Sequence, residues 1–180
     1  MTTLVIRFVL LAFMLAGPRL AIAQEASESA VKAALLYRFA SYVEWPAERF
    51  ASPEAPLDIA VMGADDVARE LELLAKGRSV NNRPIRVRRL SDTDFLAGSH
   101  IVFVGRQEAA RLPLIARVTG PLSILLVSDA SQGLENGSVI NFVSAGDRVG
   151  FEVSMEAAGR SALRISSRML AVARRVVAKS

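Results

Sequence analysis

Three short polar segments follow predicted strands, and they are the parts of the chain best suited to bind a small molecule. They are Gly63-Ala64-Asp65-Asp66, Gly105-Arg106-Gln107 and Ser128-Asp129. Ligands of open α/β sheets bind beyond the carboxyl ends of the strands, so a small-ligand pocket at one edge of a sheet is one interpretation of these segments. Ordinary turn and helix-capping chemistry is the interpretation that we favour for the same residues.

The carboxylates Asp65, Asp66 and Asp129 also have the composition of two kinds of acidic site. One is the Mg²⁺-binding pocket of phosphorylated receiver domains, which requires a phosphodonor. The other is the metal site of a hydrolase, in which carboxylates would hold the ion. The amino-terminal segment indicates export, away from the cytoplasmic phosphodonors, so the first kind of site fits the chain poorly.

The chain has one histidine and no cysteine. The lack of Cys excludes disulfides, thiol nucleophiles and Cys-based zinc sites. His100 begins a predicted core strand, and we expect a packed or surface side chain there, because a metal site needs several convergent ligands. The sequence contains no GxSxG turn, Walker A loop or GxGxxG spacing. We therefore predict no catalytic residue, no cofactor-binding residue and no metal ligand, and interpret the protein as a non-enzyme.

Aromatic side chains are concentrated in the second half of the first predicted helix, which begins at Val31 and is ended by Trp45-Pro46. Core packing around a helix end explains such a cluster. The alternative is an anchor for a protein partner, because aromatic and Arg side chains dominate interface energetics. Arg38 lies between Leu35 and Tyr42 on the apolar stripe, so we expect its side chain to extend out of the core or to lie at a contact surface.

The first 23 residues predict a cleavable secretory signal. Arg7 precedes an apolar run from Phe8 to Ala16, and Ala21-Ile22-Ala23 is typical of a cleavage site after Ala23. A retained membrane anchor is the alternative, but Gly17-Pro18-Arg19 interrupts the ~20 apolar residues that a span requires. We therefore expect an exported protein that does not span the membrane after cleavage.

The charge balance does not favour nucleic acid as a partner. The chain has 22 basic and 18 acidic side chains, and removal of residues 1–23 takes away two Arg and no acid, which leaves 20 basic against 18 acidic groups. A nearly neutral protein lacks the basic surface of a nucleic-acid-binding protein. The remaining residues, 24–180, are long enough for one domain with its own core, and we predict a single domain there.

The order of predicted elements is strand, helix, strand, strand, helix, strand, which indicates a three-layer α/β domain around a mostly parallel sheet. Continuous apolar runs predict buried strands within Leu57–Gly63, His100–Gly105 and Ser123–Asp129. Ile85–Arg88 alternates between apolar and basic residues, as an edge or half-exposed strand does.

The C-terminal part predicts an antiparallel hairpin followed by a closing helix. Val139–Val143 and Arg148–Ser154 have strand patterns and are joined by a four-residue loop that contains Gly and Asp. A short helical turn over Met155–Arg160 follows. A last helix, capped by Ser166 or Ser167, is predicted from an apolar stripe that runs to Val177.

Two segments of the chain resemble the signatures of a known family of exported proteins, the YfiR/HmsC-like family. Lys32–Phe50, KAALLYRFASYVEWPAERF, is similar to the N-terminal signature helix of that family, and Ser128–Val176 is similar to its C-terminal signature. The strongest points of the second segment are Gly137-x-x-Ile140-Asn141-Phe142, Arg148-x-x-Phe151-Glu152, Ala157-Ala158 and Leu163-x-Ile165-Ser166-Ser167.

The resemblance implies a periplasmic α/β regulator that is not an enzyme. Its expected partner is the periplasmic sensor region of an inner-membrane diguanylate cyclase, which it would hold inactive and so lower cyclic-di-GMP, exopolysaccharide and biofilm formation. An outer-membrane lipoprotein that sequesters the repressor and a homodimer are further implied partners. The chain departs from the family in two ways: it has no Cys for the disulfides of some members, and Arg38 stands where members commonly have Asn.

Four residues are predicted to contact the partner: Glu152, Arg160, Arg38 and Trp45. For Glu152 and Arg160, a structural ion pair or a solvated surface position is the alternative. At the level of function, the alternative is a periplasmic small-ligand receptor that feeds a membrane histidine kinase or transport system. A metal-dependent hydrolase that uses Asp65, Asp66 or Asp129 is a third interpretation.

Overall fold

The computed structural model describes residues 27–91, 93, 96–146 and 148–178. The predicted signal segment, residues 1–23, lies outside the described residues, so its cleavage stays a prediction. Among the described residues, no helix is both long enough and apolar enough to cross a membrane.

An eight-stranded sheet forms the centre of the described chain. The strands, in order across the sheet, are β10 (Arg175–Val177), β8 (Arg148–Ser154), β7 (Ile140–Ala145), β6 (Leu125–Ser128), β5 (Ile101–Val104), β2 (Leu57–Met62), β4 (Arg83–Arg89) and β3 (Ser79–Val80). Neighbouring strands from β4 to β7 are parallel, β7 and β8 form the antiparallel hairpin, and β10 runs parallel to β8. Strands β1 (Val43–Glu44) and β9 (Arg164–Ile165) pair separately.

Helices cover both faces of this sheet. On one face lie α1 (Glu28–Tyr42) and α2 (Asp65–Ala75), and α3 (Leu112–Thr119) lies on the other. Two short helices follow the hairpin, α4 (Met155–Arg160) and α5 (Ser167–Leu170). The predicted three-layer α/β domain with a mostly parallel sheet is therefore confirmed.

Alternate residues of the central strands enter two separate cores. In β2, Ile59 and Val61 join the core beneath α1 and α2, whereas Ala60 and Met62 join the core beneath α3. All six residues of the strand are buried. Strands covered on both faces need apolar residues at every position, which explains the continuous apolar runs in the sequence.

Helix α1 carries apolar residues on most of its sides, and the structure shows which of them pack against the sheet. Its buried apolar residues are Ala33, Leu36, Phe39 and Ala40, whereas Leu35 is partly buried and Tyr42 is 36% exposed. The Phe39 ring stacks on Phe142 at 5.8 Å between centroids and meets the edge of Phe151 at 5.1 Å. Because α1 is apolar on most sides, its periodicity alone did not distinguish the two faces.

The hairpin is confirmed, with a shorter loop than predicted. Ala145 pairs with Arg148, so two residues connect the strands instead of four. Gly146 has φ +58°, a left-handed conformation that suits the two-residue turns of antiparallel hairpins. Asp147, the second loop residue, lies outside the described residues.

The closing helix ends early, and the prediction that it runs to Val177 is wrong. Helix α5 ends at Leu170, and the chain then extends into β10. Arg174 N donates a hydrogen bond to Phe151 O at 2.8 Å, which starts the pairing with the edge of β8. Backbone hydrogen bonds of an open sheet edge, together with the β-branched Val176 and Val177, favour the strand over the helix.

Replacing Phe39 by Ala tests whether α1 is held by the aromatic contacts on the sheet. Phe39 is 1% exposed, and we expect Phe39→Ala to lower the free energy of unfolding by about 3–5 kcal/mol in urea titrations. Tyr42→Ala, on the partly exposed side of the same helix, is the control, with an expected loss of about 1 kcal/mol or less. Equal losses for the two variants would contradict this assignment of the buried face.

Candidate functional site

The point where the chain reverses direction across the sheet lies between β2 and β5. From β2 the chain passes through α2 to β4 on one side, and from β4 it crosses back to β5 on the other side of β2. Gly63 and Gly105 follow the ends of these two strands. A Cβ at Gly105 would clash with the carbonyl oxygen of Gly63, so glycine is needed for the close approach. Open α/β sheets bind ligands at such a switch point.

A cleft of about 690 Å³ lies over these strand ends. Its walls come from the first turns of α1, residues 63–67, residues 90–91, residues 106–108 and Asp129. The structure therefore brings together the three polar segments that the sequence singled out. We name this space the strand-end cleft.

A cluster of four charged side chains closes one end of the strand-end cleft. Lys32 Nζ lies 2.5 Å from Asp129 Oδ2 and 2.6 Å from Glu28 Oε1. Arg106 Nη2 lies 2.9 Å from the same oxygen of Glu28 and 3.4 Å from Asp129 Oδ2. The hydrogen bond from Lys32 lowers the pKa of Glu28. Buried Lys32 is thus paired with two carboxylates, Glu28 on α1 and Asp129 directly after β6.

Sequence reasoning missed Lys32 and Glu28. The only local signal was their four-residue spacing in a helix, which allows a Glu–Lys pair on one face. Nothing in the local sequence indicated that Lys32 would be buried, because its second partner, Asp129, lies 97 positions away.

The three predicted acidic residues occupy different environments. Asp65 and Asp66 are exposed in the first turn of α2, whereas the side chain of Asp129 is only 8% exposed within the charged cluster. Within the ranges that the structure describes, no group of three or more His, Asp or Glu side chains is placed to hold a metal ion.

His100 is a packed core residue, one of the two placements expected for it. Its Nδ1 accepts a hydrogen bond from Asp58 N at 3.0 Å, and its Nε2 lies 3.2 Å from Arg49 O, which makes Nε2 the donor. The ring stacks on Phe50 with 4.4 Å between centroids. Burial lowers the pKa of His100. Both ring nitrogens are therefore satisfied by the backbone when the imidazole is neutral.

Trp45 packs beside this histidine. Its Nε1 donates to His100 O at 3.2 Å, and its ring meets the Phe50 and His100 rings edge-on. These contacts give half-buried Trp45 a packing role at the start of β5. Its predicted contact with a partner stays a prediction.

The other three predicted partner residues lie on separate elements. Glu152, on β8, binds Arg175 through two hydrogen bonds of 3.0 and 2.8 Å and so attaches β10 to the sheet. Arg160, at the end of α4, pairs with Glu156 one turn earlier. Arg38 is exposed on α1. The structure thus shows ion pairs for Glu152 and Arg160, and both Arg38 and Arg160 are exposed.

The protonation of His100 should make folding stability depend on pH. Because burial lowers its pKa from the ordinary value of 6.5, the unfolded chain binds the proton more readily than the folded one. The stabilising contribution is therefore complete above pH 6.5 and is lost as the pH falls below it. We expect urea unfolding to show lower stability at pH 5.5 than at pH 7.5, conditions about one unit either side of that pKa.

His100→Gln is the control, because glutamine keeps a hydrogen-bond acceptor and donor but does not titrate. Since the chain has one histidine, this variant should flatten the pH dependence between these two conditions. An unchanged slope would show that another group is responsible.

The Glu152–Arg175 pair should hold β10 in place. Hydrogen bonds to Glu152 raise the pKa of Arg175. Loss of the carboxylate in Glu152→Gln weakens this charged contact between β8 and β10. We expect faster amide hydrogen exchange at residues 175–177, with little change in the midpoint of global unfolding. Glu156→Gln, which removes the partner of Arg160, should leave exchange at 175–177 unchanged.

Comparison with known proteins identifies the kind of domain. A solved structure of a conserved domain protein from Vibrio cholerae O1 biovar El Tor strain N16961 superposes with a TM-score of 0.56 at 11% identity, and covers 83% of this chain and 60% of that one. The chain therefore spans about 60% of the length of the Vibrio protein. At this identity the likeness shows an α/β fold and no shared activity.

A second structure, the ABC domain from Streptococcus pneumonia in complex with L-Trp, has a TM-score of 0.49 and 12% identity, and covers 67% of this chain and 55% of that one. No curated protein sequence matches the chain. A model of the YfiR/HmsC-like family matches residues 29–174, which include all but the first residue of α1 and every strand of the eight-stranded sheet except β10. The chain belongs to the YfiR/HmsC-like family.

Proposed function

We propose that the mature protein is a periplasmic regulator that binds the periplasmic sensor region of an inner-membrane diguanylate cyclase and holds that cyclase inactive. Its action lowers the level of cyclic-di-GMP, and with it exopolysaccharide production and biofilm formation. The observation that carries this proposal is membership of the YfiR/HmsC-like family over residues 29–174. That family is regulatory rather than catalytic and is periplasmic.

Export is part of the proposal. Residues 1–23 would direct the chain across the inner membrane and be removed, which leaves residues 24–180 as one domain. The described part of the chain contains no helix suited to span a membrane. This is consistent with a protein that meets the cyclase from the periplasmic side.

Repression by binding requires a difference in affinity. The regulator must bind the inactive state of the cyclase more tightly than the active state, by about 5.5 kcal/mol for almost complete switching. Interfaces derive most of such an energy from a few aromatic and Arg side chains. The contact surface should therefore contain accessible residues of these kinds.

Arg38 and Tyr42 meet this description. They lie one turn apart on α1, and Tyr42 is 36% exposed. The end of the helix is held in place, because Ser166 N donates to Tyr42 O at 2.9 Å and Val43 pairs with Ile165. A rigid helix end that presents Arg and Tyr loses little conformational entropy on binding. We therefore propose that Arg38 and Tyr42 contribute to the surface that meets the cyclase.

Two further partners belong to the proposal. An outer-membrane lipoprotein would relieve repression if it sequestered the regulator, since a regulator bound elsewhere is withdrawn from the cyclase by mass action. Formation of a homodimer would also affect binding to the cyclase, either by competing for the same surface or by cooperating with that binding. The exposed helix end of α1 is available for either interaction in the described chain.

The small-ligand receptor is a second candidate, and the strand-end cleft is the observation that favours it. A ligand there would signal through a histidine kinase or a transport system in that interpretation. The hydrolase interpretation has weaker support, because Asp65 and Asp66 are exposed in a helix turn and Asp129 is already paired with Lys32.

Deletion of the gene in a strain that keeps its cognate cyclase should raise cyclic-di-GMP and biofilm mass. Complementation with the full chain should restore both, and complementation with a chain that lacks residues 1–23 should not, since it would stay in the cytoplasm. Unchanged cyclic-di-GMP in the deletion strain would count against repression.

Charge reversal at Arg38 tests the proposed surface. We expect Arg38→Glu to weaken binding to the purified sensor region of the cyclase by roughly tenfold or more. The same variant should raise cyclic-di-GMP in cells without changing the thermal midpoint of the protein. Arg69→Glu, at an exposed position of α2, is the matched control and should bind as the unmodified protein does. Equal effects of the two variants would indicate a nonspecific charge effect.

A further inference from the structure

We propose that a groove beside the hairpin binds an extended segment of a partner polypeptide, which pairs with the free edge of β7. The groove has a volume of about 360 Å³ and shares Asp129 with the strand-end cleft. Its lining comes from residues 129–132, Glu135, residues 141–144, Glu152 and Arg175. We name it the β7 groove. The inference rests on this groove alone and does not depend on repression of a cyclase.

The floor of the β7 groove contains a row of residues in register across neighbouring strands. Asn141 on β7 lies opposite Ser128 on β6 and opposite Glu152 on β8, and Glu152 lies opposite Arg175 on β10. Residues in register across a sheet point to the same face. Arg175 occupies the carboxylate of Glu152 with two hydrogen bonds. The amide of Asn141 is therefore the uncharged polar group of the floor.

Neighbouring residues fix the orientation of this amide. Asn141 Oδ1 accepts a hydrogen bond from Ser128 Oγ at 2.7 Å, and Ser128 Oγ accepts one from Ser138 Oγ at 2.8 Å. Both serines are fully buried. A Cβ at Gly133 would lie only 2.2 Å from Asn141 Oδ1, so glycine is needed there. The carbonyl end of the amide is thus held inside the protein.

The other end of the amide, Nδ2, is a donor for which the described chain supplies no acceptor. Asn141 is 5% exposed and lines the groove. The described side chains that hold a fully buried polar atom without a partner are those of Arg49, Arg88 and Asp129, so Nδ2 of Asn141 is open to the groove. Polar groups of nearly buried side chains are normally satisfied. The occupant of the groove must therefore carry a hydrogen-bond acceptor, such as a carbonyl oxygen.

Strand β7 continues beyond the end of its neighbour β6, which leaves part of its edge unpaired. The pairing of β6 with β7 stops at Ser128 and Asn141, whereas β7 pairs with β8 as far as Ala145. On the side of β6, no described strand lies against residues 143–145.

The backbone of Ser144 faces this unpaired side. Ser154 N donates to Val139 O, so residues 139, 141, 143 and 145 of the antiparallel pair face β8, and Ser144 faces away from it. Arg174 N donates to Phe151 O on the far side of β8, as the same alternation requires. Ser144 is exposed and lines the groove. Its N–H and C=O are therefore available to an added strand.

An extended polypeptide satisfies both features of the groove at once. Its own N–H and C=O groups can pair with Ser144, as in other cases of strand addition to a sheet edge. A carbonyl oxygen of the same segment can accept from Asn141 Nδ2. The two residues are three positions apart on β7, which is ~10 Å along a strand. A ligand that reaches both must have that length and repeated hydrogen-bonding groups, which favours a peptide over a compact small molecule.

The charges beside the groove indicate which segments fit. Arg175 balances Glu152, and within the described residues the remaining carboxylate, Glu135, has one ion pair, with Arg175 at 3.8 Å. The side chain of Glu135 is 58% exposed. A carboxylate in excess repels further negative charge. The segment that binds should therefore lack acidic side chains.

The test selects ligands from a displayed library of random linear heptapeptides on the purified mature protein. Enriched peptides should be poor in Asp and Glu. Ser144→Pro should weaken their binding by roughly tenfold or more, because proline removes the N–H at the open edge, and it is tolerated where that N–H faces away from the ladder. Ser144→Ala, which keeps the N–H, is the matched control and should bind normally. Failure to enrich any peptide, or equal binding by Ser144→Pro and Ser144→Ala, would overturn the proposal.

A measurement on the unmodified protein covers the case in which Ser144→Pro fails to fold. In a nuclear magnetic resonance titration with a synthetic copy of an enriched peptide, the side-chain N–H₂ signals of Asn141 and the backbone N–H signal of Ser144 should shift. Amide hydrogen exchange at Ser144 should also slow, since its N–H becomes paired. Shifts confined to residues outside the β7 groove would place the peptide elsewhere and contradict the proposal.

Discussion

The packing of α1 on the sheet is the constraint on which the rest of the structure depends. The Phe39 side chain packs on the sheet against Phe142 and Phe151, which lie on the two hairpin strands. One side chain therefore connects the amino-terminal helix to the carboxyl-terminal hairpin. Phe142 in turn meets Phe103 of β5, which extends the aromatic contacts to the centre of the sheet. The two segments that resemble the family signatures are therefore packed against each other, and neither could bury its apolar face without the other.

The orientation of α1 has consequences at both of its ends. At its start, Glu28 and Lys32 reach the ends of β5 and β6 and close the strand-end cleft. Burial of a charged Lys is costly unless the partners are well placed, and here Lys32 contacts carboxylates from two elements. At its end, Tyr42 and the β1–β9 pair hold a rigid corner from which Arg38 is accessible. One helix thus positions the strand-end cleft and the surface proposed to bind the cyclase, about ten residues apart along its length.

Strand β10 covers the edge of β8, which would otherwise be an open edge of the sheet. The antiparallel strand β8 would otherwise be the last strand of the sheet, and β10 covers its edge with three residues held by Glu152 and Arg175. The family match ends at residue 174, just before this strand. Unpaired edges invite pairing with other chains, so a short edge strand with an Arg limits that risk. The pairing of Glu152 with Arg175 thus has a role within the fold, which is to hold the strand that covers the edge of β8. No partner protein is needed to explain it.

Local sequence determined a large part of this protein. Continuous apolar runs identified the buried strands, Gly and Asp predicted the hairpin loop, and the lack of Cys excluded thiol chemistry, because each of these depends on residues that are neighbours along the chain. Tertiary structure alone decided the buried face of α1, the burial of Lys32 beside Asp129, and the strand at 175–177 in place of a helix. Each of these outcomes is decided by partners far away in sequence, such as the open edge of β8, and the energy of such contacts exceeds the small local preference for helix over strand.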